Sequence, residues 1–420
     1  MASIFRDYLD VLIAAHRNVR LFFIATFLSQ IGQGFFGILY NLYIKSMGLP
    51  DTVAGAYVAA NSLASTLSLV PAGMISDRYG RSKSVLIATA LLGCVMVGQV
   101  FVQVPWMIVL GAFLSGMFTS VIWVSVLPLL AENTAKEDRF HLFSMNFGLG
   151  LIAQVFGSMI SGGLAQVFTA FLDPVWSLRL TLLFGALVMF TSLVPFSRIA
   201  DPPRSPKTSA HSFKLSGALS RFKAQKSQLW LITKFAIAST LIGFGAGLVI
   251  PYLNLYFAER FHMTKAGIGI VIGLAQAVTA LAMFVGPAMA KRMGPVKAAV
   301  SFQLASIPFL LTTAYANNAL FASGAVIIRN ALMNCANPIQ DSIMMALVSE
   351  DLRGFAVSAG QTLWSLGWAV MGPVSTHIVH QFGSYNGYAI VFTATAILYL
   401  IGAIYYFIAF GKHEAEVVQE

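Results

Sequence analysis

A row of polar side chains that could bind a solute lies in one of the long apolar segments of the chain. Arg329 is followed by Asn330, Asn334, Asn337 and Asp341. The last four occur at steps of four, three and four residues, which places them on one stripe of a helix with Arg329 at its border. A guanidinium group binds anions and amide groups bind polar groups. The row therefore predicts a site in which Arg329 engages an anionic group and the asparagines hold polar groups.

The alternative for this row is a structural role. A charged side chain inside a membrane segment is costly and by default marks a pathway or a binding site. Arg329 could instead bond to backbone carbonyls or neighbouring helices, and the asparagines could clamp their helix to its neighbours.

Other polar and aromatic side chains inside the apolar segments could complete a solute site. For each of them, helix packing is an alternative to ligand contact, and the tryptophans could instead anchor at the membrane interface. The further candidates are Gln33, Tyr40, Asn41, Trp123, Gln154, Tyr252, Asn254, Gln361 and Trp364.

Carboxylates are scarce in the apolar segments, which limits the groups that could take up and release a proton there. Burial raises the pKa of a carboxyl group toward the working range. Asp341 and Glu259 are the candidate coupling groups. Whether a proton or another ion binds at either residue stays open.

The elements that must position these residues follow from composition. The 420 residues are 57% hydrophobic and 10% charged, whereas soluble domains carry about 25% charged residues. The apolar segments reach about 20 residues or more, the length of a membrane-spanning helix. An all-α membrane protein with twelve spans is predicted, near 18–44, 53–75, 83–104, 107–131, 140–169, 177–196, 230–257, 265–290, 296–315, 319–347, 355–381 and 387–410.

Basic residues fall almost entirely on one side of these spans. Because lysine and arginine are retained on the cytoplasmic side, both termini are predicted to be cytoplasmic in a multi-pass protein of the inner or plasma membrane. The net charge of +10 is then a topology signal, and a nucleic-acid partner is not expected.

The stretch GMISDRYGRSK, residues 73–83, connects the second and third spans and carries a characteristic set of residues. It resembles the signature loop of the major facilitator superfamily. The matching positions are Gly73, Asp77, Arg78, Gly80, Arg81 and Lys83. In that superfamily the loop locks the cytoplasmic gate, and the resemblance implies gating roles for these residues. Glu132 and Arg139, at the ends of the fourth and fifth spans, are predicted to join them.

An internal repeat divides the chain. Asn41-Leu42-Tyr43 and Asn254-Leu255-Tyr256 are 213 residues apart, as are Gly73 and Gly286. Two six-helix bundles related by a pseudo-two-fold axis are therefore predicted, at 1–196 and 230–420, as in the halves of this superfamily. The polar connection at 197–229 is either a flexible linker or, over 213–228, a basic amphipathic helix on the inner leaflet.

The resemblance implies a secondary transporter that works by alternating access. A small amphipathic or anionic organic solute is the predicted substrate, with efflux slightly favoured. The alternatives are an uptake permease for an anionic metabolite or siderophore-like ligand, a lipid or lysolipid flippase, and a membrane sensor that does not transport. The sequence shows no nucleotide-binding motif, so transport without ATP and without a cofactor is expected. No constellation of nucleophile, base and orienting group is visible, so an enzymatic activity is not expected. Coupling to protons or to another ion, a uniporter mechanism and a mechanism based on an anionic substrate all stay open. A monomer surrounded by membrane lipids is predicted.

Overall fold

The computed structural model describes residues 17–134, 139–199, 226–283 and 285–413. Nearly all of them are helical, and no strand occurs among them. The helices, numbered in chain order, are α1 Arg17–Ser46, α2 Asp51–Tyr79, α3 Arg81–Phe101, α4 Pro105–Glu132, α5 Arg139–Thr169, α6 Pro174–Thr191, α7 Leu193–Ser197, α8 Lys226–Val249, α9 Leu253–Phe261, α10 Lys265–Ala282, α11 Val285–Met293, α12 Pro295–Tyr315, α13 Ala319–Leu347 and α14 Glu350–Phe410.

The predicted membrane architecture is confirmed. Eleven helical segments within the described ranges are long and apolar enough to cross a membrane. The last has 56 residues, which at 1.5 Å per residue is far longer than the bilayer core of about 30 Å. Gly383, with φ 77° and ψ 170°, interrupts it. The two arms of α14, 350–382 and 384–410, hold the last two of the twelve predicted spans.

Two predicted spans are less regular than the sequence suggested. The span predicted at 230–257 contains a 3-10 turn at Ile250–Tyr252 between α8 and α9. Pro251 explains the break, because proline lacks a backbone N–H and its ring clashes with the preceding turn. The span predicted at 265–290 is divided between α10 and α11. Most of the predicted amphipathic segment at 213–228 lies outside the described residues.

The chain forms two compact units. The bounds of the first are Met1–Val53, Ala60–Ala210 and Thr264–Gly273, and those of the second are Ala54–Ala59, His211–Met263 and Leu274–Glu420. Phe22, Val85 and Phe196 belong to the core of the first unit. Phe235 and Tyr406 belong to that of the second. The bundle boundaries drawn from the sequence stay a prediction.

The same hydrogen bond recurs in both units at the repeated motif. In the first unit the Tyr43 hydroxyl donates to the carbonyl oxygen of Val100. In the second, the Tyr256 hydroxyl donates to that of Thr313 at 2.5 Å. Each acceptor follows its tyrosine by 57 residues. Each bond thus joins a helix that contains the motif to the end of a later helix, α3 or α12.

A second recurrence concerns the tight connections between consecutive helices. Gly80 joins α2 to α3 with φ 109° and ψ 138°. Gly294 joins α11 to α12 with φ 91° and ψ 146°. Because residues with a Cβ rarely adopt this region, a glycine is required at both positions. The glycine of the signature loop and the glycine between α11 and α12 therefore share one backbone conformation.

We expect Tyr43→Phe to lower the thermal unfolding midpoint in detergent more than Tyr256→Phe does. Both variants lose a hydrogen bond to a carbonyl, worth about 0.5–1.5 kcal/mol. Tyr43 also accepts two bonds from the buried Arg179, from Nε at 3.2 Å and Nη2 at 3.1 Å. Losing the acceptor of a buried cation adds about 1.5–3 kcal/mol. Equal shifts in the two variants would contradict this role of Arg179.

Candidate functional site

A cavity of about 290 Å³ lies inside the second unit. Four helical segments enclose it: α8, α13 and the two arms of α14. Its size is just below the range of small-molecule sites, about 300–1,000 Å³. The lining residues are Phe235, Ala238, Ser239, Ile242, Asn337, Gln340, Asp341, Met344, Ala356, Val357, Gly360, Gln361, Trp364 and Tyr406.

The cavity lining is amphipathic. Asn337, Gln340 and Asp341, all on α13, supply amide and carboxylate groups. Phe235 and Ile242 on α8 supply apolar surface. Sites that hold small organic molecules combine apolar lining with a few polar groups that fix orientation, so this lining can bind a solute with both kinds of surface.

Two buried polar groups at the cavity lack a hydrogen-bond partner among the described residues. The Tyr406 side chain is 1% exposed, and its hydroxyl is unpaired within the described ranges. The Nε2 of Gln340 is also buried and has no hydrogen-bond partner within the described ranges. Buried polar groups in proteins are nearly always paired, and an unpaired one costs about 1–3 kcal/mol. A guest in the cavity that offers polar atoms can pair with them.

The polar row of α13 leads toward this cavity. Arg329, which is 3% exposed, donates from Nη1 to Oδ1 of Asn330 at 2.9 Å. Asn334 donates to the carbonyl oxygen of Asn330 at 2.8 Å, and Asn337 donates to Oδ1 of Asn334 at 3.2 Å. Hydrogen bonds therefore follow the row from Arg329 to Asn337, which lines the cavity together with Asp341.

Arg329 itself contacts a tyrosine of the second arm of α14. Its Nη2 donates to the hydroxyl of Tyr399 at 2.7 Å, and the guanidinium carbon lies 5.4 Å from the centre of that ring. Arg329, Asn330 and Asn334 are outside the cavity lining. Their predicted ligand roles stay predictions, and the observed contacts of Arg329 agree with the structural alternative.

The other predicted solute ligands divide between the units. Gln361 and Trp364 line the cavity of the second unit. In the same unit, Oδ1 of Asn254 accepts from the Leu255 N–H at 2.9 Å, and Tyr252 is buried. The remaining five belong to the first unit: Gln33, Tyr40, Asn41, Trp123 and Gln154.

The five candidates of the first unit have varied surroundings. Tyr40 is buried and donates to the carbonyl oxygen of Gln99 at 3.2 Å. Gln33 donates within its own helix to Ser29. Asn41 is buried, Gln154 is half-buried and Trp123 is exposed. Their ligand roles stay predictions.

The signature loop contains a small network of charges. Arg81 lies 3.1 Å from a carboxylate oxygen of Glu132 and 3.6 Å from one of Asp77. The Arg78 guanidinium lies 5.5 Å from the centre of the Tyr79 ring. Arg139 begins α5, and its side chain lies outside the described part of the structure. The gating roles of Gly73, Gly80, Lys83 and these charged residues stay predictions.

Glu259, the second candidate for ion coupling, lies outside the cavity lining. Oε2 of Glu259 accepts a hydrogen bond from the Tyr388 hydroxyl at 3.1 Å. Glu259 therefore belongs to a side-chain pair outside the cavity, whereas Asp341 lines it. Coupling through either residue stays a prediction.

Sequence reasoning missed several residues of the site. Tyr406 lies in an apolar aromatic stretch that resembles many others in the chain. Nothing in its spacing indicates a cavity. Gln340 precedes Asp341 directly and could have been found by examining the neighbours of the row. Ser239 is a single small polar residue in α8, and such residues are common in membrane helices.

These features define the class of the protein. The described residues contain eleven helical segments able to cross a membrane, the last of them divided at Gly383, and a cavity in the second unit. The family model of the Major Facilitator Superfamily matches residues 22–372 and 235–419. The chain belongs to this superfamily, as its signature loop predicted. The members of this superfamily are transporters and not enzymes.

Individual relatives are more distant. The chain is 23% identical over 273 residues to the uncharacterized MFS-type transporter MJ1560 of Methanocaldococcus jannaschii, over 63% of this chain. It is 27% identical over 275 residues to the enterobactin exporter EntS of Citrobacter koseri, over 64% of this chain. The chain spans 66% and 64% of the length of these two relatives.

A solved structure supports the fold. The bacterial homolog of the human lysosomal transporter Spinster, in an inward-facing and occupied conformation, matches with a TM-score of 0.78. The match covers 95% of this chain and 97% of that one at 14% sequence identity. At this identity the likeness concerns the fold alone.

We expect Arg329 and Tyr399 to be energetically coupled. Arg329→Lys keeps the charge but loses the paired nitrogens that contact Asn330 and Tyr399, and Tyr399→Phe removes an acceptor. A double-mutant cycle on the free energy of unfolding, measured in mixed SDS micelles, should give a coupling of about 0.5–3 kcal/mol. Additive effects would show that the contact contributes nothing to stability.

Proposed function

We propose that this chain exports a small amphipathic organic solute, which it binds in the cavity of the second unit. One observation carries the proposal: the cavity joins the polar side chains of α13 to apolar side chains of α8 and to Trp364. A solute with a polar end and an apolar body can satisfy both parts of this lining.

The direction of transport is proposed from kinship. The similar protein of Citrobacter koseri is named an enterobactin exporter, and its match covers a substantial part of both chains. Export is therefore favoured over uptake. We expect a transporter in the cell membrane with both termini in the cytoplasm, working by alternating access as the superfamily resemblance implies.

The source of energy is proposed to be a coupling ion, with a proton as the first candidate. Asp341 lies at the cavity, where a carboxyl group could respond to both solute and proton. The charges around Arg81 would belong to the gate. A monomer in contact with membrane lipids is part of the proposal.

A second candidate function is transport of an anionic solute through Arg329. One observation favours it: the buried Nε of Arg329 has no hydrogen-bond partner among the described residues, so one donor of the cation is available. An anion at this place would have to approach a side chain that Asn330 and Tyr399 already hold. Selective loss of anion transport in Arg329→Ala would support it.

We expect Gly360→Leu to reduce solute transport in proteoliposomes by about tenfold or more, because small volume changes in a pocket alter specificity on this scale. Gly360 lines the cavity, and a Cβ added there meets only Oγ of Ser239 at 3.4 Å. The side chain can therefore enter the cavity without disturbing backbone. Transport would be followed with fluorescent amphiphiles that carry positive, negative or no charge.

Gly324→Leu is the matched control. Gly324 lies on α13 in the same unit, outside the cavity lining, and a Cβ added there meets nothing within 4 Å. The control should transport like the wild type. If Gly360→Leu also transports every amphiphile at the wild-type rate, the solute does not use this cavity and the proposal is wrong.

A further inference from the structure

The charged side chain among the described residues that line the cavity is negative. Asp341 contributes a carboxylate, and no Lys, Arg, His or Glu occurs among the described residues that line the cavity. Among the described residues, Asp341 also has neither an ion-pair nor a hydrogen-bond partner. The Asp341 side chain is exposed at the cavity, so a guest can reach its carboxylate. A positively charged guest would supply the missing charge.

Aromatic surface lies on the same cavity. Trp364 lines it, and its ring centre lies 5.2 Å from that of Trp368. The indole face is the strongest of the aromatic side chains in attracting cations. A cation between Asp341 and Trp364 would therefore meet a carboxylate and an aromatic ring, which is the combination that recognises organic ammonium groups.

The unpaired groups of the cavity point to a ligand independently of its charge. The Tyr406 hydroxyl, 1% exposed, lacks a partner within the described ranges, and its oxygen can accept a hydrogen bond from an ammonium N–H or pair with a hydroxyl of the guest. The amide oxygens of Asn337 and Gln361 are further acceptors at the cavity. A polar cationic head group can satisfy these atoms.

We infer that the cavity contains a subsite for the positively charged group of an organic cation, formed by Asp341 and Trp364 and completed by the Tyr406 hydroxyl. This inference rests on the proposed function, because it specifies the charge of the solute at the same site. It differs from the expectation of an anionic solute, since an anion in the cavity would face the carboxylate of Asp341 at close range.

Three ligands of nearly the same size and shape, which differ in charge, test the inference. Benzyl(2-hydroxyethyl)dimethylammonium is the cation, 3,3-dimethyl-4-phenylbutan-1-ol is its neutral isostere, and 3,3-dimethyl-4-phenylbutanoate is the anion. The permanent charge of the first removes any dependence on its own protonation. Binding would be measured by calorimetry on the full chain in nanodiscs, with empty nanodiscs subtracted.

For the wild type we expect the cation to bind at least about tenfold more tightly than the neutral isostere, and the anion more weakly than both. Asp341→Asn should weaken cation binding about 10- to 100-fold and change binding of the neutral isostere less than about threefold. Asp341→Glu should retain the preference for the cation. Trp364→Leu should weaken cation binding more than neutral binding.

Ser342→Ala is the control. Ser342 follows Asp341, but it lies outside the cavity lining and its hydroxyl donates to the carbonyl oxygen of Ile339 at 2.7 Å. This variant should bind all three ligands like the wild type. If Asp341→Asn does not fold, the preference of the wild type and of Asp341→Glu for the cation over its isostere carries the test.

The outcomes separate this inference from the proposed function. Equal binding of cation and isostere, both blocked by Gly360→Leu, would overturn the cation subsite and leave the solute cavity in place. Unchanged cation binding in Asp341→Asn would also overturn it. Proton coupling would then be the remaining proposed role of Asp341. Tightest binding of the anion, lost in Arg329→Ala, would favour the second candidate function. Absence of binding by all three, together with normal transport by Gly360→Leu, would overturn both proposals.

Discussion

The bilayer interior offers no water to polar groups, and this constraint decides how the buried polar side chains of this chain are arranged. Arg179 bonds to Tyr43, and Arg329 bonds to Asn330 and Tyr399. Both cations are buried but held by polar partners within the protein, as the absence of water requires. Some buried polar groups of the described residues have no partner, among them the Nε of Arg329 and, at the cavity, the Tyr406 hydroxyl and Nε2 of Gln340. At the cavity, a guest can pair with such groups.

The same constraint explains why the repeat is visible in hydrogen bonds as well as in sequence. Tyr43 and Tyr256 occupy corresponding positions and bond to carbonyls at the same separation along the chain. A helix end in a membrane has carbonyl groups that lack helical partners, and a tyrosine from a neighbouring helix can satisfy one of them. The two units have diverged around this contact, since Arg179 donates to the tyrosine hydroxyl in the first unit, whereas Arg260 in the second donates to the carbonyl oxygens of Ala316 and Tyr385.

The sequence predicted the features that depend on local periodicity and composition. The membrane helices followed from long apolar segments, and the polar stripe of α13 followed from steps of three and four residues. The superfamily followed from the spacing in the signature loop. The features that could not be predicted depend on contacts between distant parts of the chain. Tyr399, the partner of Arg329, is 70 residues away, and Tyr406 reaches the cavity from the second arm of α14. The break at Gly383 lies between the spans predicted at 355–381 and 387–410, but separation along the chain does not show which side chains of the second arm lie beside the polar stripe.

The central claim is that the solute binds beside Asp341 and Trp364 in the second unit, and a heavy-atom ligand tests it most directly. A bromine placed on the phenyl ring of benzyl(2-hydroxyethyl)dimethylammonium would mark its position in crystals of the full chain by anomalous scattering. The account predicts one bromine peak inside the cavity, with the ammonium group between the Asp341 carboxylate and the Trp364 ring. A bound ligand whose bromine peak lies elsewhere in the chain, with the cavity unoccupied, would contradict it.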